Sequence, residues 1–310
     1  MSRKGITRRE FIKGTAALAG ATLLSSCTTG PLAIGHKPTA VDQVPLGRTG
    51  LKLSRLGFGT GSRGGSVQRA LGANEFNRLI RYAYDQGITY IDTSESYRTH
   101  TMVGEAIKGL PREKLFIQSK MPGLPEKPLD VIDRYREELG VDYIDSLLVH
   151  CAVRADWDEE RKRLLDAFEE AKAGNIIRAH GVSCHTLPAL TKAARLDWVD
   201  VNLVRINPQG SNIDTPVEQW NAESDASHLP AVLEQIRVMR QNRHGVIGMK
   251  IIGNGDFTKP EDREKSIRFT MQSGLVDAVV IGFKSTAEID EAILRINSAL
   301  AQMHETAVQQ

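Results

Sequence analysis

Cysteine is scarce in this chain. There are three among 310 residues, Cys27, Cys151 and Cys184. Three cannot build a disulfide framework, and none stands in a CxxC pair, so neither a stapled secreted scaffold nor a dithiol or zinc-ribbon centre is expected. Histidines occur without HExxH spacing, and we read no metal site. Net charge is nearly absent too, with 40 basic residues against 38 acidic ones. Residues 1–26 hold Arg3, Lys4, Arg8, Arg9 and Lys13 against Glu10; taking those five from 40 and that one from 38 leaves 35 and 37, a net of −2. A near-neutral body offers no case for nucleic acid or an anionic surface as partner. A membrane span wants ~20 apolar residues, and the run from Gly14 to Ser26 is short and diluted with Gly, Ala and Thr. The GxGxxG fingerprint of an open dinucleotide-binding sheet is missing as well. Gly57-Phe58-Gly59-Thr60-Gly61 does not continue into it.

What is present is regular. Hydrophobic residues make up 41% of the chain, enough for a large core. Residues 44–53 read as a hairpin around Thr49-Gly50. Short apolar runs then alternate with amphipathic ones. Strands are expected at 56–59, 89–92, 115–120, 146–150, 179–183, 199–207, 246–251 and 278–282. Helices are expected to begin near Asn74, Thr101, Leu129, Glu160, Leu187, Leu229 and Arg263, with a last one from about Ala287 to Ala301. Val-, Ile- and Leu-rich strands each followed by a helix argue for a parallel sheet. Eight such units favour closure, so the expected fold is α/β: a single (β/α)8 TIM barrel with an N-terminal β-hairpin over 44–310. Residues 208–227 form the longest irregular stretch and would overhang the active-site face, with Trp157 and Trp220 as candidate pocket walls.

Polar residues fall at the strand ends. Asp92 ends the second strand, Tyr97 follows in the next loop, Lys120 ends the third strand and His150 the fourth. Neighbouring strands lie ~4.8 Å apart, so these groups can converge. A phenol has a pKa near ~10, and an ammonium beside it favours the phenolate and should lower that value. A carboxylate keeps the ammonium charged, and an imidazole can donate to a carbonyl oxygen.

Together with Leu46-Gly47-Arg48-Thr49-Gly50-Leu51, Ile91-Asp92-Thr93-Ser94-Glu95-Ser96-Tyr97, Gly104-Glu105-Ala106-Ile107-Lys108-Gly109, Ser119-Lys120 and Leu148-Val149-His150, this set resembles the aldo-keto reductases over about residues 44–300. The resemblance implies reduction of an aldehyde or ketone, or oxidation of an alcohol, with Tyr97 as general acid, Lys120 as its tuner, Asp92 as the partner of Lys120 and His150 orienting the carbonyl. It implies a nicotinamide cofactor across the barrel mouth, whose own hydride does the redox chemistry, with Gly59, Thr60, Ser183, Cys184, Ile206, Lys250, Gly282, Lys284, Ser285 and Glu291 as its binding residues. Lys284 and Ser285 suit a 2′-phosphate, which favours NADPH over NADH. Where the family usually carries Ser-Asn the chain has Ser183-Cys184. Where a Gln and a stacking aromatic are usual, it has Leu203 and Ile206. These departures motivate an alternative reading, a cofactor-retaining binding or sensor protein with little turnover. Cys151 and Cys184 follow adjacent strands and could approach each other in an oxidising compartment.

Thr7-Arg8-Arg9-Glu10-Phe11-Ile12-Lys13 resembles a twin-arginine export signal, and Leu24-Ser25-Ser26-Cys27 resembles a lipobox. These imply an address over 1–27, lipidation at Cys27 and a tether over 28–43, with the enzyme exported folded to the periplasm or cell envelope and held to the membrane by acyl chains.

Overall fold

The computed structural model describes residues 37–308. The export segment, Cys27 and residues 28–36 of the tether lie outside the described residues.

Two short strands come first. β1 (Gln43–Pro45) and β2 (Lys52–Ser54) pair antiparallel with Val44 opposite Leu53. The turn between them needs glycine at Gly47, where φ is +49° and a Cβ would lie 2.2 Å from the backbone N of Gly245. Leu46 and Leu53 of this hairpin join an apolar cluster with Tyr90, Phe116, Leu148, Val201 and Ile247.

The remaining strands close into one parallel barrel. They are β3 (Leu56–Gly59), β4 (Tyr90–Asp92), β5 (Phe116–Met121), β6 (Ile144–Ala152), β7 (Ile177–Cys184), β8 (Val201–Arg205), β9 (Gly245–Met249) and β10 (Ala278–Gly282), with β10 returning to pair with β3. Buried on both faces, these strands read as nearly continuous apolar runs. One cluster fills the interior, and a larger one lies between strands and helices.

The helices are α1 (Ser66–Ala70), α2 (Gly72–Asp85), α3 (His100–Ile107), α4 (Pro128–Leu139), α5 (Trp157–Glu160), α6 (Lys162–Ala173), α7 (Leu187–Arg195), α8 (Leu229–Gln241), α9 (Pro260–Gln272) and α10 (Thr286–Val308). Their starts and stops follow local chemistry. α4 opens on Pro128 and stops at Gly140 in the left-handed region, as proline and glycine favour. α2 buries Phe76, Leu79, Ile80 and Ala83, one stripe at helical spacing.

The structure differs from the sequence reading in detail. α1 and α5 were not expected, because runs of five and four residues carry no measurable period. The expected strand 199–207 shortens to β8, and residues 37–43 are not all free tether. Ala40 is buried, its N–H donates to Asn297 Oδ1 (2.7 Å) and its carbonyl accepts from Leu56 N (2.8 Å). Trp157 is core, with its indole N–H donating to the carbonyl of Ala189 (3.3 Å).

Register places the site. Asp92 stands opposite Gly59 on one side and Gln118 on the other, and Lys120 stands opposite Leu148. Asp92, Lys120 and His150 therefore reach the same C-terminal rim.

Candidate active site

Lys120 has no exposed surface. Its Nζ donates to Asp92 Oδ1 (2.6 Å) and to the carbonyl of Thr93 (2.8 Å). Asp92 Oδ1 also accepts from Gln118 Nε2 (2.9 Å), which in turn donates to Tyr90 Oη (2.9 Å). Burial pulls the lysine's pKa below its usual value, while Asp92 opposes that pull through charge and hydrogen bond.

Tyr97 is carried over the mouth by a short 3-10 turn, Glu95–Tyr97, capped by Ser94, whose Oγ accepts from Ser96 N–H (3.3 Å). Its backbone N–H donates to the carbonyl of Ser94 (3.0 Å). Gly61 lies against its ring so closely that a Cβ there would stand 2.5 Å from ring carbons and 2.9 Å from the hydroxyl. Lys120 Nζ sits over the ring face, 4.8 Å from its centroid.

That geometry corrects one expectation. The net effect on the phenol is not the acidification expected: the amine's pull toward the phenolate is outweighed. Burial, then the negative charge of Asp92, then Cys151 push its pKa well above the usual value. The lysine's charge is already met by Asp92, so the aspartate opposes ionisation of the phenol. Tyr97 is held protonated, the state a proton donor needs.

His150 packs edge-on to Tyr97, with ring centroids 5.5 Å apart. Burial, then Lys120, Lys250 and Arg161, push its pKa down to about 3, so it is neutral. Ser94 Oγ lies 3.0 Å from His150 Nδ1 and 3.2 Å from the carbonyl of Lys120. A hydroxyl has one proton. If Ser94 gives it to Nδ1, the imidazole carries its own proton on Nε2 and can donate to a carbonyl oxygen.

A cleft of about 670 Å³ runs from Asp92 and Tyr97 to Lys284, Glu291 and Arg295. Five of the ten expected cofactor residues line it: Gly59, Lys250, Gly282, Lys284 and Glu291. Gly59 and Gly282 are register partners on neighbouring strands and leave bare backbone at its floor. The other five do not line it. Thr60 stitches strands together, its N–H donating to the carbonyl of Asp92 (2.9 Å) and its hydroxyl meeting Thr99 (2.8 Å). Ser285 Oγ accepts from Glu288 N–H (3.3 Å) in the first turn of α10. Cys184 and Ile206 are buried in the layer between strands and helices, so Ile206 is not placed to stack on a cofactor ring. Ser183 is buried with no hydrogen-bond partner at Oγ among the described residues. Glu291 lines the cleft, but its carboxylate is already clamped by Arg263 (2.9 Å) and Arg295 (2.8 Å). It is therefore engaged within the protein and not an open acceptor for the cofactor.

Several groups in and beside the cleft carried no sequence signal. Arg63, Asn254, Phe257 and Arg263 line it from loops and from α9. His185 receives the indole N–H of Trp220 on Nδ1 (3.1 Å) and meets Cys151 Sγ through Nε2 (3.6 Å). Both Cys151 and Cys184 are free thiols. The segment after β8 is pinned by a buried pair, Arg205 to Asp214 (2.6 Å). Among these groups Trp220, Cys151 and Cys184 stood out beforehand.

A closed parallel barrel with an Asp–Lys pair, a tyrosine and a histidine gathered at its C-terminal rim is the arrangement of an aldo-keto reductase. The comparisons agree. Residues 55–308 match the model of the aldo/keto reductase family, and the chain belongs to that family. The 9,11-endoperoxide prostaglandin H2 reductase of Trypanosoma cruzi is 32% identical over 166 residues, covering 51% of this chain and 54% of that protein. The match thus spans about half the length of that relative. A D-threo-aldose 1-dehydrogenase of Pseudomonas is 23% identical and covers 78% of this chain and 89% of its own length. A solved protein of Pseudomonas aeruginosa, provisionally designated an aldo-keto reductase, superposes with a TM-score of 0.67 at 24% identity. It covers 84% of this chain and 97% of its own, a likeness of fold.

Two outcomes follow from the site. Asp92→Asn strands a buried ammonium and should cost about 3–5 kcal/mol in urea unfolding. Adding Lys120→Met should recover a good part of that loss, and equal stability of single and double variants would refute the pairing. His150 binds a proton near pH ~6.5 in the unfolded chain but only at about 3 in the folded one. Its contribution is whole above the first value and drains away as pH falls toward the second. His150→Gln should therefore lose less stability than the parent between about pH 7 and about pH 4.5; identical losses would contradict the assignment.

Proposed function

We propose that this chain is an exported NAD(P)H-dependent reductase of aldehydes and ketones. The observation that carries the reading is the neutral Tyr97 phenol beside the buried Lys120–Asp92 pair, at the inner end of a long cleft.

The residues present suit a nicotinamide cofactor. Gly59 and Gly282 offer bare backbone, and Arg63 and Lys284 bring positive charge to the cleft, as a phosphorylated ligand requires. When bound, that cofactor supplies the hydride. The chain's own residues do the rest. Tyr97 Oη gives its proton to the carbonyl oxygen as negative charge develops there. The Lys120 ammonium, kept charged by Asp92, stabilises the phenolate left behind. His150, neutral and packed against Tyr97, orients the carbonyl. NADPH is favoured over NADH because Lys284 stands at the far end of the cleft, although Glu288 shares its charge at 3.6 Å.

A specific observation supports the second reading, a binding protein with little turnover. Leu203 is buried in the barrel interior and Ile206 in the outer layer, so neither supplies the amide or aromatic contact that the family resemblance leads one to expect. Two such contacts are together worth roughly 10- to 100-fold in affinity. Turnover with a panel of aldehydes and ketones, followed by NADPH absorbance, separates the two. Tyr97→Phe should lower kcat by ~10²–10⁴-fold while still binding NADPH. Tight NADPH binding with no oxidation by any carbonyl would favour the sensor reading.

Export is supported by Arg8-Arg9 and by the Leu24–Cys27 segment, since the twin-arginine route carries folded proteins and suits one that takes up its cofactor first. Replacing both arginines by lysine should strand the protein in the cytoplasm, and Cys27→Ser should release it from the membrane fraction. Unchanged distribution of both variants would overturn this part of the proposal.

A further inference from the structure

The cations around the reacting groups are not all balanced. Lys120 is met by Asp92, and Arg205 by Asp214. Lys250 and Arg161 make no ion pair among the described residues. Arg161 spends a donor on the carbonyl of Gly123 (2.8 Å). Lys250 Nζ has one acceptor, Asn254 Oδ1 at 3.1 Å, for three N–H donors.

Lys250 is also placed for a ligand. It follows β9 directly and lines the cleft that Asp92 and Tyr97 line. Its backbone takes the left-handed conformation, φ +61°, which disfavours a residue with a side chain. That conformation is held because its carbonyl accepts from Gly253 N–H (2.9 Å) and Asn207 Nδ2 (3.2 Å). Its charge is felt by His150, which packs on Tyr97, and by Cys151 and His185 next to it. Burial, and then Arg205, pull its pKa down to about 8, against a weaker opposing pull from Asp256, which leaves it mostly charged at neutral pH but poorly hydrated. A partly desolvated ammonium in such a place is strengthened by an anion, and surplus positive charge in a cleft draws anions in.

We propose that Lys250 is the specificity-determining cation of this site and that the substrates are carbonyl compounds bearing a carboxylate, which its ammonium receives beside Tyr97. The proposal rests on the reductase reading above and narrows its substrate class. A phosphate of the cofactor is the other source of an anion; Arg63 and Lys284 also line the cleft and can receive it, which leaves Lys250, whose charge reaches His150 and Cys151, for the substrate.

The test uses a matched pair, 4-carboxybenzaldehyde and its methyl ester, with NADPH and the purified chain. The parent should prefer the acid by at least about 10-fold in kcat/KM, a charge-assisted contact's worth. Lys250→Met should bring the preference below about threefold, and Lys250→Arg should keep most of it. Circular dichroism checks that each variant is folded. Equal use of acid and ester by the parent would overturn the proposal. So would a Lys250→Met variant that keeps the preference but loses NADPH affinity in a fluorescence titration, since the lysine would then serve the cofactor. If neither aldehyde is reduced, the carbonyl panel described above decides the reductase reading, and calorimetry with benzoate against benzamide decides the anion site separately. Benzoate binding that Lys250→Met abolishes supports the site; no benzoate binding by the parent overturns it.

Discussion

A lysine ammonium sits inside this barrel with no contact to solvent, and the rest of the site is arranged around that fact. An unpaired charge there would be prohibitively costly. Asp92 removes most of the cost, the Thr93 carbonyl takes a second donor, and Gln118 steadies the carboxylate from the next strand position but one before Lys120. Each of these contacts depends on β4 and β5 being parallel neighbours in one register, Asp92 opposite Gln118. The charge pair is thus a product of barrel topology, and a one-residue slip would turn Lys120 toward the helices.

The electrostatic consequences run outward from the pair. Because Asp92 balances the lysine, Tyr97 experiences burial and a nearby anion more than a bare cation, and it keeps its proton. Because His150 is buried, and because Lys120 is joined by Lys250 and Arg161, the imidazole stays neutral. The resting site therefore presents a neutral phenol and a neutral imidazole beneath a surplus of positive charge. That combination is poised to meet a developing alkoxide, and the reserve charge on Lys120 stabilises the phenolate once the proton has gone. Gly61 has a part in this, since any side chain there would displace the ring of Tyr97.

Most of the frame was legible in the sequence because parallel strands buried on both faces write themselves as apolar runs, and because Asp92, Lys120 and His150 each close such a run. What could not be read was direction and partnership. Ile206 stands one residue past β8 and was expected to face a cofactor, yet its side chain turns to the outer layer. Glu291 looked like an open acceptor, but Arg263 and Arg295 reach it from 28 residues before and four residues after. The sign of the shift at Tyr97 was also hidden. Sequence brings an amine near a phenol but does not say that the amine lies over the ring face with Asp92 beside it, so that burial and the carboxylate outweigh its pull on the phenol. Short helices such as α1 and α5 left no period to detect.

The central claim is that Tyr97 rests as a neutral phenol next to a charged, paired lysine. An ultraviolet difference titration of the parent against Tyr97→Phe measures this directly, because phenolate absorbs where phenol does not. No difference signal from Tyr97 should appear below pH ~10, the value of an unperturbed phenol. A phenolate signal appearing near neutral pH and lost in the variant would contradict the account.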